Sequence, residues 1–594
     1  MSVPISDRLR GVLERTLTDL RAAGVFEGEL PPVQIERPKR AEHGDLSTNV
    51  ALALAKRAHL SPRQLAETIR GRLSDPERLV AQAEVAGPGF LNFRLSDRVW
   101  QAVLGELLSE GPDYGRGAGE PAAPRVLVEY VSANPTGPLH IGHGRCAAIG
   151  DAVARLLRFA GYDVAREFYI NDAGNQVYML AISVWARYQE ARGRPVTFPE
   201  AGYQGEYVRE LGRELAQRDG GRWESLTESA AELAPIREHA TEKMLDWQRR
   251  TLSAFRCEFD RWFSERALYA TGAVEACLAE LREKGWLYDE DGAVWLKSRE
   301  LVGDERDRVV IKSSGEKTYV AGDIAYHRDK LARGFGRLID VLGADHRDHP
   351  PGVRAGLRAF GLDPELLEAL FYEFVRLMRA GEEVKMGKRS GEFVTLDDLI
   401  EEVGTDAARF FFLTRRHDSH IVFDLDLAKK QSLDNPVFYV QYGHARCAAI
   451  LRRARALGVE PPAWDPKLAE RLELPEEMAV LRKLAELPTL VRDAAAAREP
   501  HRLVGYATEL AQEFQSYYTH LQKVHGDTIL PQERHRKDAG WRESWDWQKT
   551  RARLLWVSGI KQVMQTVLSL LGISAPDEMA RAADDAAPEE DDKA

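Results

Sequence analysis

Two short motifs carry the residue types most suited to phosphate chemistry. The first is His140-Ile141-Gly142-His143, placed where an apolar run, Arg125 to Val131, gives way through a Pro/Gly turn to a helical pattern. A helix start offers free N–H groups and a positive dipole end, both of which suit phosphate oxygens. Two imidazoles there can donate hydrogen bonds as charge develops in a transition state. Gly142 between them would let a nucleotide come close to the backbone. The second motif is Lys385-Met386-Gly387-Lys388, on a glycine-containing stretch. Two lysines on flexible stems suit the clamping of a triphosphate. Each motif has a bland reading, two surface histidines by a turn and a solvated basic loop. The ordered pair flanking an α/β region is the stronger signal.

A second group points to a cationic substrate. Glu129 ends the apolar run just before the first motif, and Tyr319 and Asp323 lie four residues apart. A buried guanidinium needs carboxylate partners to offset its desolvation, and aromatic faces favour it further. Asp323 also reads as a helix N-cap ahead of Ile324-Ala325-Tyr326. A carboxylate at the end of an apolar strand, as at Glu129, is expected to have a partner.

The elements that position these residues follow from periodicity. Arg125–Val131 suits a parallel strand buried on both faces. Ala148, Ile149, Val153, Leu156, Leu157 and Ala160 keep helical phase until Gly161. This strand–loop–helix unit opens an α/β domain of Rossmann type over about 125–400. A charged, helical insertion is expected at about 190–295. Strand-like runs resume at Val309–Lys312, Thr318–Val320 and Leu338–Leu342. Ahead of this domain, residues 1–115 read as a small α+β domain. Its first helix carries Leu9, Val12, Leu13, Thr16, Leu17 and Leu20 on one face. A helix is predicted over 49–58, another after Ser61-Pro62, and a strand over Gly89–Leu95. The Gly/Pro-rich stretch 111–124 reads as a linker. Residues 401–583 read as an all-α bundle, and 584–594 as an acidic, disordered tail.

Composition sets limits. At 594 residues, roughly four units of about 150 are expected. Hydrophobic residues at 44% argue against general disorder, and no apolar run is long enough to span a bilayer. The N-terminus lacks the apolar core of a signal peptide. Cys146, Cys257, Cys277 and Cys447 are scattered, so no cysteine-based zinc site is expected and the thiols read as reduced, buried and cytosolic. The net charge of −11 opposes bulk nucleic-acid binding, yet it is unevenly placed. Residues 401–583 carry about +1, against −7 for 1–400 and −5 in the last eleven residues. A locally basic RNA reader fits within that distribution.

Taken together, the two motifs resemble the His-Ile-Gly-His and Lys-Met-Ser-Lys signatures of the class I aminoacyl-tRNA synthetases, with Gly387 in place of serine. Over nearly the whole chain the resemblance is to the arginyl-tRNA synthetase family. It rests on Glu129 to His140 (EYVSANPTGPLH), Gly343-Ala344-Asp345-His346, Asp406-Ala407-Ala408-Arg409, His43 to Asn49 (HGDLSTN) and Gly89-Phe90-Leu91-Asn92-Phe93. The resemblance implies ATP-dependent activation of arginine, transfer to the 3′ end of tRNA(Arg), and activation that requires bound tRNA. It assigns His140, His143, Lys385 and Lys388 to catalysis. ATP contacts would come from Gly142, Gly343, Asp345 and Met386. Arginine would be held by Glu129, Tyr319 and Asp323 at the guanidinium and by Asn134, His143 and His346 at the amino-acid end. Phe90 and Asn92 would meet the outer corner of the tRNA, and Tyr439, Tyr442 and Arg446 the anticodon side. Mg²⁺ would travel with ATP, no structural metal is expected, and the enzyme is expected to be a cytoplasmic monomer. Alternatives are a non-catalytic synthetase-like RNA binder, a class I synthetase for another amino acid, and a small-molecule nucleotidyltransferase. Retention of both histidines and both lysines opposes the first, and the long helical C-terminal region opposes the last.

Overall fold

A computed structural model describes residues 3–38, 40–119, 123–384 and 394–580. The lysine motif, with Lys385, Met386 and Lys388, and the acidic tail lie outside the described residues.

The N-terminal domain forms as its patterns predict. Helix Ile5–Ala22 buries Leu9, Val12, Leu13, Thr16, Leu17 and Leu20. It packs with helices Val50–Ala58 and Pro62–Gly71, the latter opened by a Ser61–Gln64 capping box with Pro62 in its first turn. Strands β1 (Leu46–Thr48), β2 (Val80–Ala86) and β3 (Phe90–Leu95) form an antiparallel sheet in the order β1-β3-β2. Helix Asp97–Glu110 leads out. The stretch after it is not a loose linker. Tyr114 is buried and donates to the Leu484 carbonyl at 3.3 Å, and the Gly117 N–H reaches Phe159 O at 2.9 Å. Glycine is required here, since a Cβ on Gly117 would lie 2.2 Å from the Ala160 carbonyl oxygen.

The main sheet contains β4 (Val126–Glu129), β5 (Val164–Ile170) and β6 (Arg261–Ser264). Between β5 and β6, helices Asn175–Ala191, Glu206–Asp219 and Ala234–Ala254 enclose a core of their own. The stretch 190–295 is therefore not one helical insertion: the chain returns to the sheet at β6. Four residues beginning with an arginine are too short a run to announce a strand. A second excursion follows through helices Glu265–Ala270 and Ala273–Glu283 and an antiparallel sheet of β7 (Leu287–Glu290), β8 (Ala293–Leu296) and β9 (Arg308–Ile311). The run Val309–Lys312 thus contributes a strand to this side sheet. Thr318–Val320, expected as a strand, instead starts helix Tyr319–Ala332, with Thr318 at the N-cap. Three β-favouring residues were outweighed by the twelve helical residues that follow. Two more strands, β10 (Arg337–Gly343) and β11 (Leu367–Tyr372), complete the main sheet. Its order is β11-β10-β4-β5-β6, with every pair parallel. The chain builds outward from β4 on one side, then crosses to the other. That reversal falls between β4 and β10, and ligands of such sheets bind in the crevice beyond the carboxyl ends there.

Beyond β11, strands β12 (Val375–Arg379), β13 (Glu382–Glu383) and β14 (Ile421–Asp424) make a small mixed sheet, with helices Leu396–Val403 and Thr405–Phe412 between β13 and β14. β14 is the exception to the helical reading beyond 404. Helices Pro436–Ala456, His501–Lys523 and Trp547–Leu570 are the long members of the final bundle. Arg409 ties the bundle to the α/β domain. Its buried guanidinium donates to Asp151 on the first-motif helix (2.6 Å), to Phe255 O (2.9 Å) and to Leu571 O at the end of the last long helix (3.0 Å). The four cysteines are free and buried. No helix among the described residues is long and apolar enough to cross a membrane.

Candidate active site

The first motif sits at the switch point. Past β4 the backbone is strained: Val131 has φ 69° and Ser132 φ 42°, conformations that residues other than glycine rarely adopt. The strain is held in place by contacts on both sides. The Val131 N–H meets Cys146 Sγ at 3.1 Å, and Ser132 Oγ donates to Glu129 Oε1 at 2.8 Å and accepts from the Tyr169 N–H at 3.2 Å. The following turn is braced by the first excursion. Tyr207 donates to Thr136 O at 2.7 Å, and Gln248 to Asn134 O and Gly137 O at 2.9 and 3.1 Å.

His140 caps helix Ile141–Phe159. Its Nδ1 accepts the Gly142 N–H at 3.1 Å, and His143 Nδ1 accepts the His140 N–H at 3.2 Å. Both Nδ1 atoms are therefore acceptors, which puts the ring proton of each imidazole on Nε2 as a donor. The rings stack with centroids 3.7 Å apart. Gly142 serves His140 directly, since a Cβ there would lie 2.9 Å from His140 Cε1. The second motif enters through its flanks. Leu396 N–H donates to Leu139 O at 2.7 Å, and Thr395 bridges His140. The chain thus returns from residues 385–393 alongside the first histidine.

Acidic groups gather around the carboxyl end of β4. Glu129 is 8% exposed and accepts Lys330 Nζ at 2.6 Å. Lys330 also donates to Asp340 at 2.9 Å, lies 3.3 Å from His327 Nε2 and sits 4.3 Å from the Tyr326 ring centroid. Glu129, His327 and Asp340 converge closely enough to hold a metal, but the Lys330 ammonium lies among them. Burial opposes the charges of Lys330 and Asp340, yet their attraction prevails: it holds the ammonium above, and the carboxyl below, the ordinary values.

Asp323 is inside helix Tyr319–Ala332, so it is not an N-cap. Burial, with Glu129 and Glu265 nearby, holds its carboxyl well above the carboxylate range. His349 Nε2 lies 2.6 Å from Asp323 Oδ2, and burial lowers the pKa of that imidazole. Glu265 is 5% exposed, and burial with Asp172 nearby pushes it up to about 7. This is a buried cluster with more carboxylate than it can ionise unaided, the electrostatic form expected of a site for a cation. Sequence reasoning missed Glu265, Lys330 and His349. Glu265 follows the carboxyl end of β6 as Glu129 ends β4, so recognising β6 would have exposed it.

The other expected contacts are arranged less uniformly. Tyr319 is 70% exposed one turn before Asp323, and Asn134 is exposed beyond the strained turn. Gly343 ends β10, followed by Asp345 and His346, whose side chains lie 3.7 Å apart at the surface. A Cβ on Gly343 would sit 2.4 Å from Asp345 Oδ1. In the N-terminal sheet Phe90 projects outward, whereas Asn92 is largely buried. In the bundle, Tyr439, Tyr442 and Arg446 are half-buried. The Arg446 guanidinium lies 4.9 Å from the Tyr442 ring centroid and 4.8 Å from that of Tyr518. Beyond it, Arg452 pairs with Glu578 and Arg455 with Glu460.

A parallel sheet in this order, with paired imidazole donors at its switch point, defines together with the two sequence motifs a class I aminoacyl-tRNA synthetase. Residues 104–423 match the family model described as tRNA synthetases class I (R), catalytic domain. Residues 440–579 match the DALR anticodon binding domain, and 7–95 the arginyl tRNA synthetase N terminal domain. The arginine–tRNA ligase of Geobacter sp. (strain M21) is 42% identical over 576 residues, covering 97% of this chain and 100% of that protein. That of Geobacillus kaustophilus is 43% identical over 578 residues, covering 96% and 99%. Thermus thermophilus arginyl-tRNA synthetase shares the fold, with a TM-score of 0.73 at 24% identity over 97% of this chain and all of that one. The chain belongs to the arginine–tRNA ligase family.

Proposed function

We propose that His140 and His143 stabilise the α-phosphate during arginine activation, aided by Lys385 and Lys388. The arginine carboxylate oxygen attacks the α-phosphorus of ATP. A C–O–P linkage forms, the bond to the bridging oxygen breaks, and diphosphate leaves with that electron pair. The two Nε2–H groups donate to the phosphate oxygens where charge builds, while the helix start adds its dipole. Mg²⁺ bound with ATP would supply positive charge against the phosphates. Gly142, Gly343, Asp345 and Met386 form the nucleotide side of the crevice. Glu129, Asp323 and Tyr319 hold the guanidinium, and Asn134, His143 and His346 the amino-acid end. The adenylate then passes its arginyl group to the tRNA 3′ end and AMP leaves. We read activation as tRNA-dependent and the enzyme as a cytoplasmic monomer. The N-terminal sheet, through Phe90, meets the tRNA corner, and Tyr439, Tyr442 and Arg446 meet the anticodon side.

The observation that carries this reading is the hydrogen-bonded imidazole pair, whose Nδ1 atoms both accept backbone N–H groups and so leave Nε2 as donor. ATP–diphosphate exchange with each amino acid, with and without tRNA, tests it. Exchange with arginine alone, and only with tRNA present, is expected. Lys388→Ala is expected to lower arginylation by on the order of 10²-fold, and a near-wild-type rate would remove that lysine from the mechanism.

A further inference from the structure

The outer face of the β12–β14 pair is unusual for a surface. β12 and β14 run parallel, with Val375 beside Ile421 and Arg376 beside Val422. Inward residues Val375, Leu377, Ile421 and Phe423 are buried. Alternation puts Phe374, Arg376, His420 and Val422 together on the opposite face. All four are open: Phe374 is 63% and Val422 60% exposed, and the Arg376 and His420 side chains 63% and 77%. An exposed phenylalanine and valine flanked by a guanidinium and an imidazole form an apolar platform with polar edges.

Its position gives it meaning. Phe374 lies two residues beyond the carboxyl end of β11, on the rim of the main sheet that holds the active site. Glu373 links the two regions, pairing with Arg347 at 3.0 Å and lying 3.8 Å from His420. Arg347 directly follows His346. The platform is anchored from beneath by Arg145 of the first-motif helix. The buried Arg145 guanidinium donates to the carbonyls of Glu373, Arg416 and Ser419, the backbone that carries Phe374 and His420.

We infer that the Phe374–Val422 face is a stacking platform for the unpaired 3′-terminal nucleotides of the tRNA on their way to the adenylate. This deepens the reading of the chain as an arginine–tRNA ligase and rests on it. The strand that accepts arginine must end at this rim, and unstacked bases seek aromatic faces whatever their sequence. The cations here are mostly partnered, Arg376 with Glu383 at 3.5 Å and Arg416 with Asp418 at 2.8 Å. The face therefore grips by stacking more than by charge.

The test pairs variants with two RNAs. Binding of intact tRNA(Arg), and of the same tRNA trimmed of its unpaired 3′ nucleotides, is measured for wild type, Phe374→Ala, Phe374→Trp and Val422→Ser. Phe374→Ala is expected to weaken intact tRNA about ten-fold and trimmed tRNA less than two-fold, with tryptophan restoring affinity and the salt dependence unchanged. The KM values for ATP and arginine should stay at wild type. Equal losses on both RNAs, or no loss on the intact one, would overturn the platform, the latter leaving the face to a protein partner. Failure of the enzymatic reading shows separately, as a wild-type protein that does not arginylate tRNA.

Discussion

Replacing Lys330 by methionine removes one charge and little volume from the middle of the catalytic sheet. The ammonium is fully buried, with Glu129 at 2.6 Å, Asp340 at 2.9 Å and the Tyr326 ring beneath it. Methionine leaves two buried carboxylates without their shared cation. Breaking a buried pair from one side costs about 3–5 kcal/mol, mostly from the charge left uncompensated. Glu129 ends β4 and Asp340 is in β10, the strands that meet at the switch point, so the loss should appear locally. In Lys330→Met, amide hydrogen exchange of β4 and β10 should accelerate by on the order of 10²–10³-fold, while that of helix Ile5–Ala22 stays put. Adding Asp340→Asn should recover a large part of the protection, because one of the two stranded charges is gone. Asp340 is held below its ordinary value, so its contribution is present above the usual carboxylate range and lost as pH falls through its folded value. Lys330 is held above its own, so its contribution is complete below the usual lysine range. The exchange difference should therefore be constant from about pH 5 to 9. Protection within three-fold of wild type, or a difference that titrates near neutrality, would refute the reasoning.

Other outcomes follow from the pocket and the motif. Glu265, at about 7, and Asp323, held high, keep protons in the folded state that the unfolded chain has released. Stability should consequently decline as pH rises toward about 7, whereas arginine affinity should strengthen over the same range. Calorimetry in buffers of different ionisation enthalpy should show proton release on arginine binding at pH 6, reduced in Glu265→Gln. Gly142→Ala puts a methyl 2.9 Å from His140 Cε1, so the ring must turn away, and kcat should fall about ten-fold or more with little change in the KM for arginine. Arg409→Met leaves Asp151 buried without that partner and should cost about 3–5 kcal/mol, read as easier release of helix Trp547–Leu570 in limited proteolysis.

Legibility followed the range of the interactions. Local patterns gave the first helix with its buried face, the Ser61 cap and the strand–turn–helix around His140, because each depends on residues within a turn or two. Glu129 was legible since a carboxylate closing an apolar strand demands a partner. Its partner was not, because Lys330 lies 201 residues away and is brought in by strand pairing. β6 was hidden by brevity, and Glu265 with it. Thr318–Val320 misled because three residues of β propensity say little against a following helix. The tautomers of His140 and His143 depend on N–H directions that no spacing encodes.

The position of β4 has a consequence during synthesis. It is the central strand, with β5 on one edge and β10 on the other. β5 follows β4 at once, but roughly 200 residues separate β4 from β10. At about 5–20 residues per second, the ribosome leaves one side of β4 without its neighbour for roughly 10–40 s. That side belongs to a wholly buried strand, Val126 to Glu129, whose open edge is a template for wrong pairing. The nascent chain is thus most exposed to misassembly after the turn at 132–139 has emerged and before residue 343 does. A chaperone that binds extended apolar segments would find its opportunity in that interval.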